Sequence, residues 1–497
     1  MPDAAPIQQH QVYERARLSR DARFDGQFFV GVKTTGIYCR PICPAVAPKS
    51  SNVIFYPTAA AAGEAGFRPC LRCRPESAPG TPAWSGTSVT VRRGLRLISA
   101  GALDDGSIED LADRLGVTSR HLRRLFTQHL GASPLAVAHT QRLHFAKRLI
   151  DQTQMPMSHV ACAAGYGSVR RFNDAFRKTY GRSPRDLRRR NDEPFNTETG
   201  LTVRLPYRKP FDWRGLMQFF TDRATPGVEQ VLDDVYLRSI AVNKQSGVVE
   251  CRHLKTDNSI SLTLHGVATA EIFQVVQRAR ELLDLDAPVA EIGATLGADK
   301  DLGRMIKQRP GVRVPGAWDG FELTVRAILG QQVSVKAATT LAGRIAARYG
   351  AAIELPASFG GRGDSLTIER LFPGPEKLMR ARFNNIGLVT TRAETIRRVA
   401  AAVVRGELSF DNSQDIDEFC RSLTAIRGIG DWTAQYVAMR AMKSPDAFPA
   451  SDLGLLKAIA KGENTKPVEL LRRAESWRPW RAYAALLLWG SLSGSGG

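Results

Sequence analysis

Four thiols crowd into 35 residues: Cys39 and Cys43 in TTGIYCRPIC, Cys70 and Cys73 in FRPCLRC. A Cys-x3-Cys pair, a gap of 26 residues and a Cys-x2-Cys pair suit tetrahedral zinc on four sulfurs, each pair supplied by one short loop. Most such sites are structural clamps. A zinc-bound thiolate is also a nucleophile, because the metal keeps sulfur deprotonated at neutral pH. The other cysteines, Cys162, Cys251 and Cys420, are isolated and expected as small core residues rather than a disulfide framework.

A second constellation lies near the C-terminal end. In LTAIRGIGDWTAQYVAMRAM, Gly428-Ile429-Gly430 separates two helix-like segments, and Trp432 and Tyr436 follow four residues apart. Glycines let the backbone turn tightly and offer amide N–H groups to a phosphate at the next helix's N-terminus. Beyond a Pro-broken loop, DAFPASDLGLLKA supplies Asp452, a carboxylate able to stabilise a developing cation or orient a water. Alone, a Gly-x-Gly is a turn and an i,i+4 aromatic pair is core packing.

Several folded units must position these groups, since 497 residues exceed one ordinary core. The formal charge is +20, with 69 Lys and Arg against 49 Asp and Glu. Between Ser119 and Arg190 stand 15 basic and 3 acidic residues, so more than half the surplus sits in one seventh of the chain. Clustering of that kind points to a nucleic-acid partner through phosphate neutralisation and counterion release. The same region holds an internal repeat, LADRLGVTSRHLRRLFTQHLGASP from Leu111 and VACAAGYGSVRRFNDAFRKTYGRSP from Val160. In each, a short helix meets a glycine (Gly116, Gly165), a Ser cap (Ser119, Ser168) and a second helix ending at Gly131 or Gly181. A capping box, Ser107 with Asp110, opens the first copy. Leu122 and Phe126, like Phe172 and Phe176, share a buried face, leaving Arg120, Arg123, Arg124, Arg170, Arg171 and Arg177 for other faces. Such a pair of helices is the helix-turn-helix arrangement, whose second helix fits the major groove.

The stretches Arg74 to Ser88 and Arg189 to Gly200 are turn-rich and expected as linkers, and the tail SLSGSGG as frayed. After Gly200, LTVRLPY, VVECRHL and ISLTLHG read as strands, with helices at GLMQFFTDR and AEIFQVVQRARELLDL. From Ala287 helical periodicity dominates, apart from a loop at Glu354 to Ser365. No apolar run follows a basic start at the N-terminus, and YAALLLWG is too short to span a bilayer, so a cytoplasmic protein without a membrane partner is expected.

Three resemblances sharpen this picture. GVKTTGIYCRPICP and GFRPCLRCRPE, within about Asp21 to Pro75, closely resemble the N-terminal domain of the Ada family. The resemblance implies that Cys39 accepts a methyl group from a DNA methylphosphotriester, with Cys43, Cys70 and Cys73 as the other zinc ligands. The basic repeat resembles the AraC-type DNA-binding domain. AFPASDLGLLK, FELTVRAILGQQVSVKAA, GIGDWTAQYVAMR and ESWRPWRAYAALLLW, spread over about Leu201 to Gly490, resemble the 3-methyladenine DNA glycosylase II (AlkA) branch of the helix-hairpin-helix superfamily. That likeness implies Asp452 as catalytic carboxylate, Trp432, Tyr436 and Trp489 as walls of the base pocket, and Gly428 and Gly430 as DNA contacts. It also implies a residue inserted into the helix at Gln332, where several relatives carry an apolar side chain. Trp432 stands where lyase relatives carry a Schiff-base Lys, implying a monofunctional glycosylase. The PCHR phrase that marks an alkylguanine transferase does not occur.

The expected fold is multidomain α+β. It comprises a four-cysteine zinc domain (residues 1–77), an all-α double helix-turn-helix domain (88–190), a TATA-binding-protein-like α+β layer (200–286) and an all-α helix-hairpin-helix glycosylase domain (287–490). Expected cofactors are one Zn²⁺ and, by the resemblance, a monovalent cation at the glycine hairpin. Expected partners are alkylated and promoter double-stranded DNA, and RNA polymerase when the protein, a monomer, acts as activator. Two narrower alternatives stand beside this fusion: a regulator whose C-terminal part only binds DNA, and a repair enzyme whose zinc module is purely structural.

Overall fold

The computed structural model describes residues 7–79, 89–104, 106–188, 200–243, 245–354, 359, 366–410, 415–459 and 466–493. Most of the expected linkers, of the loop at Glu354 to Ser365 and of the C-terminal tail lies outside the described residues.

The first unit is a small sheet of β1 (Phe29–Val32), β2 (Ile37–Cys39), β3 (Val53–Tyr56) and β4 (Arg68–Pro69) in the order β3-β1-β2-β4. β1 is antiparallel to both neighbours, and β2 runs parallel to β4. Each cysteine pair begins at the end of one of these two parallel strands, Cys39 as the last residue of β2 and Cys70 just after β4, so the sheet brings the pairs together. Helix Ala59–Glu64 is capped by Thr58, whose hydroxyl accepts from Ala61 N and donates to Leu130 O of the next unit.

Both helix pairs expected in the basic region are present, Ile108–Arg114 with Ser119–Leu130 and Met157–Ala163 with Val169–Tyr180, joined by the long helix Pro134–Gln152. Gly116 and Gly165 turn at φ +69° and +74°, and Gly131 and Gly181 end the second helices in the left-handed region. The capping box at Ser107 and Asp110 is formed. One cap differs from expectation: Thr118, not Ser119, has the extended backbone and accepts from His121 N, so the helix begins one residue earlier. Cys162 is exposed rather than core. Val160, Ala161, Ala163 and Ala164 occupy the inward face, and Cys162 falls between them on the outside. Cys251 is buried and Cys420 half-buried, as expected.

The third unit is an antiparallel sheet ordered β5-β9-β8-β7-β6, from β5 (Leu201–Pro206), β6 (Glu229–Leu232), β7 (Val235–Val242), β8 (Gln245–Leu254) and β9 (Ser259–His265). Helices Trp213–Arg223 and Ile272–Leu282 accompany it. Sequence reading missed β6 and β7. Asp233 and Asp234, both with positive φ, form the two-residue turn between paired Leu232 and Val235, a hairpin signal available in EQVLDDVYLR. One hydrophobic core spans this sheet and the second helix pair, with Phe145, Phe172 and Phe176 packed in the same cluster as Tyr236, Leu262 and Val276.

The remainder is helical and surrounds a core that includes Val325, Ile396, Phe419, Val437 and Trp477. Helices Ile416–Thr424 and Asp431–Arg440 flank the glycine turn. Arg96, from the helix Val89–Ser99, donates to Met442 O and Lys443 O at 2.9 Å each, docking the basic unit just past the end of helix Asp431–Arg440.

Candidate functional site

Two sites emerge, one on the small sheet and one between helices. The Sγ atoms of Cys39, Cys43, Cys70 and Cys73 all lie within 4.8 Å of one another. Tetrahedral zinc with bonds of about 2.3 Å sets its sulfurs about 3.8 Å apart, so this donor set fits the ion. The site is lopsided: Cys70 and Cys73 are buried, whereas Cys39 and Cys43 are only half-buried. Arg40 N donates to Cys73 Sγ at 3.3 Å, while the Arg40 guanidinium is pinned by Asp25 and by Cys73 O. That clamp fixes the turn that carries Cys43.

Cys39 and Cys43 open onto a cleft of about 740 Å³ lined by Arg17, Arg20, Arg40, Arg68, Arg72 and Arg182, with no acidic residue in its wall among the described residues. Arg20, Arg68, Arg72 and Arg182 are exposed. Tyr180, Gly181 and Arg182, at the end of the second recognition-type helix, form part of the same wall. A half-exposed sulfur thus faces a basic groove suited to a phosphate backbone. Beside Cys39, the Tyr38 hydroxyl lies 3.0 Å from His144 Nε2 on the long helix.

Arg120, Arg123, Arg124, Arg170, Arg171 and Arg177 are all exposed, while Leu122, Phe126, Phe172 and Phe176 are fully buried. Each basic face is therefore available to a partner, apart from a surface pair of Arg123 with Glu109 at 3.3 Å.

The second site is a cleft of about 310 Å³ where Trp432, Tyr436, Asp452 and Trp489 meet. Trp432 Nε1 donates to Asp452 Oδ2 at 2.8 Å, and Trp489 Nε1 donates to Asp452 Oδ1 at 2.8 Å. Leu455 N, in the first turn of helix Leu453–Ile459, donates to Oδ1 at 3.0 Å, making Asp452 that helix's side-chain cap. Three donors hold one carboxylate half-exposed at the cleft. The Trp432 face lies parallel to the Tyr436 ring, at 8° and 5.3 Å, and Tyr436 meets Trp489 edge-on at 6.2 Å. These indoles therefore hold the acid with their N–H edges, a role that spacing did not reveal.

Gly428 turns at φ +100°, and a Cβ there would come within 2.1 Å of Thr395 Oγ1, so glycine is required. Gly430 caps helix Asp431–Arg440 with open space around it. Gln331 ties this turn to the preceding loop, donating to Gly428 O and Thr433 Oγ1 at 3.1 Å. Gln332 is exposed at φ +55° and lies outside the cleft wall, between the lining residues Gly330 and Val333.

Among the lining residues that sequence reasoning missed, Phe219, Arg223, Arg326 and Arg440 bear most on the chemistry. Arg440 stands four residues beyond Tyr436 on the same helix, a spacing that put it in reach. Phe219 and Arg223 come from helix Trp213–Arg223 of the sheet unit, and no local pattern links them to Asp452. Arg326 is neutralised by Glu229 at 2.6 Å and Glu322 at 3.1 Å. Burial pushes the Glu229 carboxyl up, but Arg326 and Arg238 outweigh it and hold it at about 2.

The comparisons with known proteins follow these units. The chain matches the family models for the metal binding domain of Ada (residues 13–76), a helix-turn-helix domain (111–190), the AlkA N-terminal domain (202–319) and the HhH-GPD superfamily base excision DNA repair protein (325–482). It is 41% identical over 483 residues to a probable bifunctional transcriptional activator/DNA repair enzyme AlkA of Mycobacterium tuberculosis, covering 96% of this chain and 95% of that protein. It is 34% identical to DNA-3-methyladenine glycosylase 2 of Escherichia coli, covering 57% of this chain and 95% of that protein. A solved 3-methyladenine DNA-glycosylase from Archaeoglobus fulgidus shares the fold, with a TM-score of 0.50 at 24% identity over 58% of this chain and 97% of that one.

Proposed function

The chain belongs to the family of bifunctional transcriptional activator/DNA repair enzymes that join Ada-type and AlkA-type units, and from that premise we propose one chain with two responses to DNA alkylation. Its C-terminal units hydrolyse the N-glycosidic bond of alkylated bases such as 3-methyladenine, leaving an abasic site. Its N-terminal units accept a methyl group on Cys39 and then activate transcription. The observation that carries the first half is a carboxylate held by two indole N–H groups at the wall of a base-sized cleft.

For base release, the lesion leaves the stack at a cost of a few kcal/mol, which damage reduces. Asp452 faces the sugar and stabilises its oxocarbenium-like character or orients the water. Trp432, Tyr436 and Trp489 shape the base pocket, and Gln332 fills the gap in the helix. We assign DNA phosphate binding to the amides after Gly428 and Gly430, with a monovalent cation at the same turn as the resemblance implies.

For methyl transfer, Cys43, Cys70 and Cys73 complete the zinc set, and bound zinc supplies a deprotonated sulfur at neutral pH. Cys39 Sγ attacks the methyl carbon of a methylphosphotriester. The S–C bond forms, the C–O bond breaks, and its electron pair leaves on the phosphate oxygen as a diester anion. The half-exposed position of Cys39 in an arginine-lined cleft supports this assignment. Conversion of one thiolate to a thioether removes a negative charge facing DNA, worth on the order of 1 kcal/mol at partly screened distance. The methylated head and the exposed arginines of the basic unit then hold promoter DNA more tightly. There the protein, as a monomer, engages RNA polymerase.

One incubation tests both halves. After exposure to methylated DNA, mass spectrometry is expected to find one added methyl on Cys39, and chromatography to find free 3-methyladenine. Absence of free base overturns the glycosylase, and an unmodified Cys39 overturns the sensor.

A further inference from the structure

Arg440 lies beside the aromatic stack, its guanidinium 5.4 Å from the centre of the Tyr436 ring. Arg440 is 3% exposed, and all three of its nitrogens are fixed by neutral oxygens. Nε donates to Pro315 O at 2.8 Å, Nη2 to Gly316 O at 3.0 Å and Nη1 to the Tyr436 hydroxyl at 2.7 Å. The guanidinium also lies over the Phe219 ring at 4.8 Å. A hydroxyl that accepts from a guanidinium must turn its own proton elsewhere. Among the described residues no hydrogen bond uses that proton, and Tyr436 forms part of the wall of the Asp452 cleft.

Resting on the glycosylase reading above, we propose that Tyr436 donates its hydroxyl proton to the departing base, and that Arg440 is the positioning residue that aims it. The step balances simply. The C1′–N bond breaks with its electron pair on the base, the Tyr436 proton passes to a ring nitrogen or carbonyl oxygen of that base, and water supplies hydroxide to C1′. The water's remaining proton returns the phenol oxygen to its neutral form through solvent. A cationic N-alkylpurine leaves as a neutral molecule and gains little from this proton. An uncharged lesion would leave as an anion and gains much. Arg440 and Tyr436 therefore set the balance between charged and uncharged lesions, with Asp452 serving both.

The charges around the phenol agree. Burial pushes Tyr436 up, but Arg440 on its own helix, with Arg223 and Arg326 on the two helices facing it, outweighs burial and holds the phenol below its ordinary value. Asp452, across the same cleft, is the acidic group that shares the wall. A donor made more acidic transfers its proton more readily.

Single-turnover release from duplexes carrying 7-methylguanine (charged) or hypoxanthine (uncharged) tests the proposal in the full chain. Tyr436→Phe and Arg440→Met are expected to lose at least about tenfold more rate on hypoxanthine than on 7-methylguanine, with Arg440→Lys recovering part of the difference. On hypoxanthine the wild-type rate falls at alkaline pH as the phenol ionises, and Arg440→Met shifts that fall to higher pH. Equal losses on both duplexes, or an alkaline limb that does not move, assign Arg440 to structure alone and overturn the proposal. So does a wild type that releases 7-methylguanine but no hypoxanthine. Release of neither base by the wild type overturns the glycosylase reading itself. Tyr436→Phe keeps the ring stack, so the test survives if Arg440→Met fails to fold.

Discussion

Cys39, Cys43, Cys70 and Cys73 come from 35 consecutive residues and two turns at the ends of neighbouring strands. Asp452 instead takes its two side-chain donors from Trp432, 20 residues back, and Trp489, 37 residues on, and its cleft borrows Phe219 and Arg223 from the sheet unit. A soft-ligand site needs only that a few sulfurs converge, since the bond to the ion supplies the energy and sets the geometry. A carboxylate site has no ion to organise it, so the packed fold must aim each indole N–H within hydrogen-bond distance. The first kind of site is therefore compact and autonomous, and the second is a property of the whole C-terminal half.

That contrast predicts separable failures. The largest effect is expected from crossing the two reaction centres. Asp452→Asn lowers base release roughly a hundredfold to ten-thousandfold and leaves methyl uptake on Cys39 intact, whereas Cys39→Ser abolishes uptake and spares release. Coupled loss in either variant, read by mass spectrometry and base chromatography, would break the comparison. Next, chelation of zinc is expected to unfold the β1 to β4 sheet, seen as loss of hydrogen-exchange protection at Val30 and Tyr38, while base release continues. Smaller again, Trp432→Phe and Trp489→Phe each remove one charge-assisted hydrogen bond of about 1.5–3 kcal/mol, slowing release roughly tenfold to a hundredfold. Rates unchanged in both would show that the indoles do not hold the acid.

The last effect is on stability rather than on either reaction, at the seam beside Cys39. Burial, with Arg148, His139 and Lys147 nearby, pushes His144 down to about 3. The unfolded chain takes up this proton near pH 6.5 and the folded chain only near 3, so His144 contributes stability that is present above about 6.5 and lost as pH falls toward 3. Urea unfolding of His144→Gln between these limits is expected to show a shallower loss than wild type. Parallel curves would remove the histidine from the seam.

Some of this was legible in residue order. The thiol spacing, the two glycine turns at Gly116 and Gly165, the Ser168 cap and the buried Phe172 and Phe176 all follow from periods of a few residues, which local backbone geometry enforces. Cys162 was misassigned because an apolar residue in VACAAG can face either way until the neighbouring alanines take the core. Strands β6 and β7 were passed over although Asp233-Asp234 marked their turn. Family resemblance put Trp432, Tyr436, Trp489 and Asp452 in one pocket, yet it did not say that the indole edges, rather than their faces, meet the acid.

Sequence alone determined the four-sulfur set, the repeated basic helices and the surplus of positive charge, because each is carried by residue type and short spacing. Tertiary structure decided which sulfurs stand open to an arginine-lined cleft, how Asp452 is gripped, and that Arg440, Arg223 and Phe219 share its pocket. The last of these depends on side chains more than two hundred residues apart, with Arg440 lying over the Phe219 ring at 4.8 Å, and such meetings are set by core packing rather than by the order of residues along the chain.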